Sequence, residues 1–551
     1  MPDLVLGPLL RYVGDDCATV WVETDAACEV GVLGARQRTF HVEGHHYALV
    51  LVTGLEPDTA TAYEVTLDGE HVWPPEDARP RPKIVTRGGE DRVRLAFGSC
   101  RVGAPHRQPF TLDAYQHPDG FGIDALWAYS RRLQAGEEAW PDCVLLMGDQ
   151  VYADEVSPDT AEYIKGRIDE QAEEGGPGAP PPGEVANFEE YTRLHRDSWS
   201  DPDIRWLLST VPTTMIFDDH DLHDDWNISQ GWVEERRRLP WWEERVCGAF
   251  MAYWIYQHIG NISPPHLDDE PLLAEVYQDE DAGPRLRRFA LAADRESMSS
   301  RFAYHRDFGR TRLVVIDTRA SRVLDGGARE IVDPGEWDWI VEQTRGDHDH
   351  LILASTLPVF LAPGIHNAES WDERVCDGAW GRRAARAGER IRRGLDFDHW
   401  PAFNRSFARM VDLLRDRGRG GPDHRPPASI LLLGGDVHTA YVAEVDVGDG
   451  VESRVWQLVC SPFRKPLTRK ERLLVRALFT RPAAAVSRLL ARAAGAPHPR
   501  ASWHVHSGPT FHNSIGLVEI EGRSARVAIR RSGTGTDGPT FLAGLHAMDL
   551  T

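Results

Sequence analysis

Six times after residue 92 an apolar run stops abruptly on a polar cluster: VRLAFGSCR (93–101), CVLLMGDQVY (143–152), TTMIFDDHD (213–221), RLVVIDTR (312–319), HLILASTLP (350–358) and SILLLGGDVH (429–438). Unbroken apolar runs of this length are strands buried on both faces, the pattern of an α/β layered fold. Helical patterns such as ALWAYSRRL and WDWIVEQT lie between them. In such folds ligands gather beyond the carboxyl ends of the strands, and the polar clusters fall there.

Residues 1–88 read differently. CATVWVET, CEVGVL and YALVLVTGL alternate or cluster β-branched and aromatic residues between turn signals, as in a small β-sandwich of the immunoglobulin or fibronectin III kind. The stretch from Gly54 to Tyr63 resembles the tyrosine corner of such sandwiches, and the Pro-rich PPEDARPRP (74–82) suits a linker. No residue in this part carries recognisable chemistry. With 551 residues the chain needs more than one small core. The expected organisation is a β-sandwich over 1–88 followed by an α/β domain over 92–551.

Two insertions stand out. EEGGPGAPPPGE (173–184) reads as a mobile surface loop. Residues 466–500 space arginines among Leu, Val and Ala (RKERLLVRALF, VSRLLARAA), a basic amphipathic helical pattern. Packing on an acidic body is expected ahead of a membrane-surface role, and a lid over the site is a third reading.

The formal net charge is −23, which disfavours a surface that tracks nucleic-acid phosphates. Part of that charge could be metal ligands. The seven cysteines are odd in number and scattered, with no CxxC. That disfavours a disulfide framework and favours a reducing compartment. MPDLVLGPLLRYVGDD holds no basic leader, twin arginine or long apolar run. A cytoplasmic location without signal peptide or transmembrane helix is expected, with export if a leader precedes this sequence.

The strand ends supply Cys100, Asp149, Tyr152, Asp218, Asp219, His220, Asp221, Asp436 and His438. Carboxylates gathered at one rim repel and resist ionisation. A di- or trivalent cation removes that conflict, and an aspartate can bridge two. Imidazole and carboxylate suit borderline metals; thiolate and phenolate suit one that strongly lowers their pKa, such as ferric iron. Singly, each residue has an ordinary role. A lone Asp after a strand usually caps a helix or turn, and a lone Cys is usually a small buried hydrophobe. FDDHDLHDDW alone would be a solvated acidic loop. Asp-x-x-Tyr, Asp-His and Asp-x-His on three separate strand ends are hard to obtain from turn chemistry.

At these residues the sequence resembles a known family. GDQVY matches the Gly-Asp-x-x-Tyr motif shared by purple acid phosphatases and the alkaline phosphatase D (PhoD-like) group. DDHD resembles that group's Asp-Asp-His-Glu segment, where calcineurin-like phosphoesterases carry Gly-Asn-His-Asp/Glu. GGDVH resembles its Gly-Asp-Val-His, FGSCR its Gly/Ala-Ser-Cys segment, and VVIDTRASR its Leu-Asp-Thr-Arg stretch. The resemblance implies a four-layer αββα metallophosphoesterase domain behind the β-sandwich, with a binuclear or larger metal centre. By analogy Fe³⁺ takes Cys100, Asp149, Tyr152 and His438. A second ion, Ca²⁺ with Zn²⁺ and Mn²⁺ as alternatives, shares Asp149 and takes Asp219 and Asp436. Asp221 or Asp225 is available to a further ion. His220 matches the histidine that contacts substrate or protonates the leaving group. The implied reaction is attack of a metal-bound hydroxide on the phosphorus of a phosphoric monoester or diester, with the metals stabilising charge on the phosphoryl oxygens.

Arg319 and Arg322 follow VVID and could clamp a phosphate as planar forks, with surface pairing equally open. Asp317 is expected to fix the strand end, and His512 and Asn513 are not expected at the site. The superfamily's separate metal histidine after the fifth strand is not evident: STLPVF offers Ser355 and Thr356, and His366 follows in a less clear context. The expected partner is a small-molecule phosphate ester, with oligomeric state unread. The alternatives are a non-catalytic metal- or ligand-binding protein on a degenerate phosphoesterase scaffold, and an iron oxidoreductase.

Overall fold

The computed structural model describes residues 1–78, 80–89, 92–170, 180–324, 329–421, 425–534 and 540–551. Of the Gly/Pro-rich loop at 173–184, positions 173–179 lie outside the described residues.

The N-terminal part is a β-sandwich of two antiparallel four-stranded sheets. One orders Leu4–Val13, Cys17–Thr24, His45–Thr53 and Phe40–Val42; the other orders Ala35–Arg38, Glu29–Val32, Val65–Leu67 and Glu70–Trp73. Period-2 alternation builds its core: Ala18, Val20 and Val22 meet Ala48, Val50, Val52, Val30 and Leu67. The opposite face is also buried. Trp21, Tyr47 and Leu49 join the core of the following domain, and the fully buried Arg11 donates to the carbonyls of Tyr256 and Gln257, each at 2.7 Å. Two buried faces explain why these strands look as apolar as those of the α/β part. The Pro-rich 74–82 stretch is a connection inside the sandwich, because Lys83–Val85 returns to pair with Ala60–Ala62. Nor does Tyr63 close a corner within its own sheet: its hydroxyl donates to the carbonyl of Ser209.

All six apolar runs are strands, and they divide between two sheets. Arg92–Gly98, Cys143–Met147 and Thr213–Ile216 are mutually parallel in a six-stranded sheet. Thr311–Ile316, His350–Ser355 and Ser429–Gly434 are parallel in a seven-stranded one. Between the sheets lie Leu95, Phe97, Leu145, Leu313, Val315, Ile352 and Leu431. The alternate residues Val314, Ile316, Leu351, Leu353, Ile430 and Leu432 face outward onto Trp337 and Ile340 of helix Pro334–Gln343 and Met410, Val411 and Leu414 of helix Asn404–Arg419. Burying each such side chain contributes roughly 1.5–3 kcal/mol. Helix Ala125–Gln134 covers the first sheet, giving helix, sheet, sheet, helix. The antiparallel strand Ser514–Glu521 adds beside Arg92–Gly98 and extends the first sheet with chain from the far end of the sequence.

Candidate metal centre

The carboxyl ends of both parallel trios meet at one rim. Four residues there depart from ordinary backbone geometry: Cys100 (φ 57°), Asp149 (φ 50°), Asp436 (φ 60°) and His438 (φ 46°). Left-handed backbone at non-glycine residues costs on the order of 1–3 kcal/mol each and persists where surroundings over-determine it. Here the surroundings are hydrogen bonds. Asp149 N–H and Asp218 N–H both donate to Asp221 Oδ2 at 2.9 Å. Arg101 N–H donates to the Asp149 carbonyl at 3.0 Å, and Asp436 N–H to Ser99 Oγ at 3.0 Å. Two glycines let the strand ends close up. A Cβ on Gly148 (φ 89°) would lie 2.5 Å from Asp218 Cβ, and one on Gly435 would lie 2.4 Å from Ser99 Oγ.

The result is three adjoining donor clusters, each with its ligand atoms within 4.8 Å of one another: Cys100, Asp149 and His438; Asp149, Asp219 and His220; Asp218, Asp219 and Asp436. Asp149 belongs to the first two and Asp219 to the last two. Tyr152 sits beside the first, its hydroxyl donating to Asp149 Oδ2 at 3.2 Å. Three carboxylate oxygens of these clusters are buried without a hydrogen bond: Asp149 Oδ1, Asp218 Oδ2 and Asp219 Oδ1, the last 3.4 Å from Arg319 Nη2. Unpaired buried carboxylate oxygens are costly, so the residues fit bound cations.

The protein alone strains against this arrangement. Burial, with help from Asp219 and Asp436 and against His220, pushes Asp149 up to about 8. Burial and then Asp149 hold the Tyr152 phenol well above its usual range; burial, Asp149 and Asp436 do the same for the Cys100 thiol. Burial, then Lys465, lowers His438 to about 3, which keeps its imidazole neutral and able to ligate. A multivalent cation inverts this logic, since it favours carboxylate, thiolate and phenolate together.

The remaining sequence candidates fall around the centre. His220 Nδ1 lies 2.9 Å from Asp154 Oδ1 and its Nε2 3.6 Å from Asp224 Oδ1. Asp221 spends its carboxylate on the two backbone N–H groups above and on Gln257 Nε2 at 3.2 Å, so it shapes the rim and offers little to a further ion. Asp225 (φ 64°) donates its N–H to Asp219 Oδ2 at 3.1 Å, and its carboxyl is raised to about 9 by burial and by Asp396 and Asp398. Asp317 accepts from the N–H groups of Arg319, Ala320 and Ser321.

Arg319 and Arg322 are placed otherwise than a solvent-facing phosphate clamp would be. Their side chains are 1% and 0% exposed. Arg319 donates to Asp218 and Asp398, with Nη2 3.4 Å from Asp219 Oδ1 and 3.9 Å from Asp436 Oδ1. Its guanidinium is thus a fixed positive charge among four carboxylates. Arg322 supports Asp398 from behind, bonding also to the carbonyls of Thr318 and Asn227.

Four further participants carry no signal in the sequence around them. Asp154 orients His220. Lys465 Nζ sits 3.9 Å from the Tyr152 ring centre and 2.5 Å from Glu155 Oε2. His399 lies between Glu369 Oε1 (Nδ1, 2.9 Å) and Asp436 Oδ2 (Nε2, 3.5 Å), and Asp398 accepts from Arg319. Asp398 and His399 come from LDFDHW, inside an insertion whose sequence carries no strand-end signal. His366, the other candidate histidine, is buried against Phe407 and Trp503, away from the centre, and burial lowers it to about 3. Asn513 spends its amide on the carbonyls of Phe121 and Ile123.

Residues 127–494, more than half of the chain, match the family model described as PhoD-like phosphatase. Residues 1–85 match a domain of unknown function, DUF7800. The solved "Structure of PhoD" superposes with a TM-score of 0.56 at 13% identity, covering 100% of this chain and 92% of that chain, a likeness of fold. A maltogenic amylase structure from S. marinus reaches a TM-score of 0.14 at 9% identity, covering 99% of this chain and 81% of that one, and carries no argument. No curated protein matches the chain.

Proposed function

This chain belongs to the PhoD-like phosphatase family and is a phosphoesterase; from that premise we propose that it hydrolyses phosphoric monoesters or diesters at a centre of two or more cations. Cys100, Asp149, Tyr152 and His438 would hold one, and Asp149, Asp219 and Asp436 another. The observation that carries the proposal is the adjacency of two donor clusters, Cys100, Asp149 and His438 beside Asp218, Asp219 and Asp436, in which Asp149, Asp218 and Asp219 each leave a buried oxygen without a hydrogen bond. A soft thiolate, a phenolate and an imidazole favour Fe³⁺ in the first position; an all-carboxylate set favours Ca²⁺, or Zn²⁺ or Mn²⁺, in the second. When bound, such cations lower the pKa of a coordinated water and offset charge on the phosphoryl oxygens.

The chain's own residues do the rest. Asp149 belongs to two of the clusters, and Asp149, Asp436 and His438 share left-handed backbone at the rim. Burial lowers His220's affinity for a proton, but the ion pair with Asp154 outweighs it and holds the ring well above its usual range. The imidazolium therefore keeps Nδ1–H on Asp154 and offers Nε2–H to the departing alkoxide. Arg319 pairs with one oxygen each of Asp218 and Asp398 and adds positive charge behind the donor clusters. Lys465, 18% exposed, adds a positive charge that favours an anionic ester.

Hydrolysis of p-nitrophenyl phosphate and bis-p-nitrophenyl phosphate by the purified full chain tests this reading. The expected result is turnover of at least one, lost in Asp149→Ala. Metal-replete protein that cleaves neither would favour a non-catalytic metal-binding protein on the same scaffold.

A further inference from the structure

Helices Arg469–Leu478 and Arg481–Ala493 follow the site directly, since Lys465 touches Tyr152 and Thr468 caps the first helix. The second helix is inverted for a soluble protein. It buries its small residues, Ser487 and Ala491, and leaves Val486, Leu489 and Leu490 61%, 69% and 40% exposed at helical spacing. Its inner side packs on helix Pro363–Cys376. The first helix has no buried residue at all, and its Leu473 and Leu474 are 66% and 53% exposed. An amphipathic helix normally turns its large apolar side chains inward. Two aromatic residues border the pair. Trp380 is 44% exposed and donates Nε1–H to the Ala493 carbonyl at 3.2 Å; Tyr115 is 45% exposed beneath Arg469 and Arg472. Seven of the twelve exposed large apolar residues among those described therefore gather here.

The charge of the segment is equally unusual. Residues 468–494 hold seven Arg or Lys against Glu471 alone, in a chain of net charge −23. Among the described residues none of the seven forms an ion pair with a carboxylate. Exposed leucines flanked by arginines that have no carboxylate partner, with Trp and Tyr at the border, match the interface of an anionic bilayer, where arginine stems snorkel and aromatic rings sit at headgroup depth. A second copy of the chain fits less well, because a two-fold contact would set the seven cations against seven more. Closure over the site is opposed by the packing of Ser487 and Ala491 on the body.

We propose that the 469–493 helical pair docks this protein on anionic membrane surfaces, lying in the interface plane. The proposal stands apart from the reaction and holds for protein with or without metal. Sedimentation of the full chain with vesicles of phosphatidylcholine, alone or with about 30% phosphatidylglycerol, tests it. The expected result is binding at least about tenfold tighter to the anionic vesicles, weakening as salt rises. Leu473→Glu/Leu489→Glu should abolish it while Leu51→Glu, an exposed site on the β-sandwich, does not. Arg476→Gln/Arg488→Gln should remove much of the salt-sensitive part without touching the leucines. Three results would overturn the proposal: no preference for anionic vesicles, binding unaltered in both double variants, or a dimer in equilibrium sedimentation that Leu473→Glu/Leu489→Glu dissolves.

Discussion

Asp154 and His220 form a buried pair at the edge of the centre, with Oδ1 and Oδ2 of the aspartate 2.9 and 3.1 Å from Nδ1. Asp154 is held well below the usual carboxylate range because His220, against the cost of burial, stabilises its anion. Asp154→Asn removes the charge that keeps the imidazolium protonated. The alkaline limb of kcat should therefore move to lower pH. The loss should be larger for an alkyl phosphate than for p-nitrophenyl phosphate, whose leaving group needs little proton donation. An unshifted profile with equal losses on both substrates would remove His220 from the role of acid.

Gly148 brings the end of Cys143–Met147 against Asp218. Gly148→Ala forces a Cβ into that contact at φ 89°. Left-handed strain and the clash together should destabilise the fold by about 2–4 kcal/mol and lower bound metal per chain, measured by urea unfolding and elemental analysis. Wild-type metal content and stability would mean that this close approach is dispensable.

Arg319 neutralises Asp218 and Asp398 deep in the protein. Arg319→Met leaves both carboxylates buried without that partner, a change of roughly 3–5 kcal/mol. Arg319→Lys should restore part of it, and excess Ca²⁺ should recover part in Arg319→Met by supplying charge to the same cluster. Stability insensitive to Arg319→Met would place the guanidinium outside the acidic network.

His45 ties the β-sandwich to helix Phe188–Trp199, with Nδ1 3.0 Å from Glu23 Oε1 and Nε2 2.8 Å from Glu189 Oε2. Burial opposes the proton, but the two glutamates raise His45 to about 9. A raised folded-state pKa gives stability that is full below pH 6.5 and is lost as pH rises through about 9. Glu189 is partly exposed, so solvent screening leaves on the order of 1–2 kcal/mol. Urea midpoints from pH 6 to 10 should fall more steeply for the wild type than for His45→Gln; parallel curves would refute the linkage.

What the sequence made legible is what short-range pattern encodes. Unbroken apolar runs announced the six parallel strands, and residues that break them, such as Asp149 and Asp436, announced the rim. Hydrophobic alternation in CATVWVET announced the β-sandwich but not that its second face, through Trp21, is also buried. Other features depend on distant partners. Asp398 and His399 reach the centre from an insertion, and nothing near them in sequence marks a strand end. Arg319 looked available to a phosphate because the aspartates that bury it lie 79 and 101 residues away. Asp221 stands among the ligand candidates in sequence, and the partners that take up its carboxylate, two backbone N–H groups and distant Gln257, leave no trace in neighbouring residue identity. The basic helices read as an ordinary packed amphipathic pair because periodicity gives a stripe without saying which stripe faces inward.

The proposed centre is built on cations held among Asp149, Asp219, Asp436 and His438. Anomalous diffraction from crystals of the native protein, collected above and below the iron edge, tests it most directly. It predicts an iron peak bounded by Cys100, Asp149, Tyr152 and His438 and a second cation bounded by Asp149, Asp219 and Asp436. Electron density with these side chains apart, or cations bound elsewhere with this rim filled by water, would contradict it.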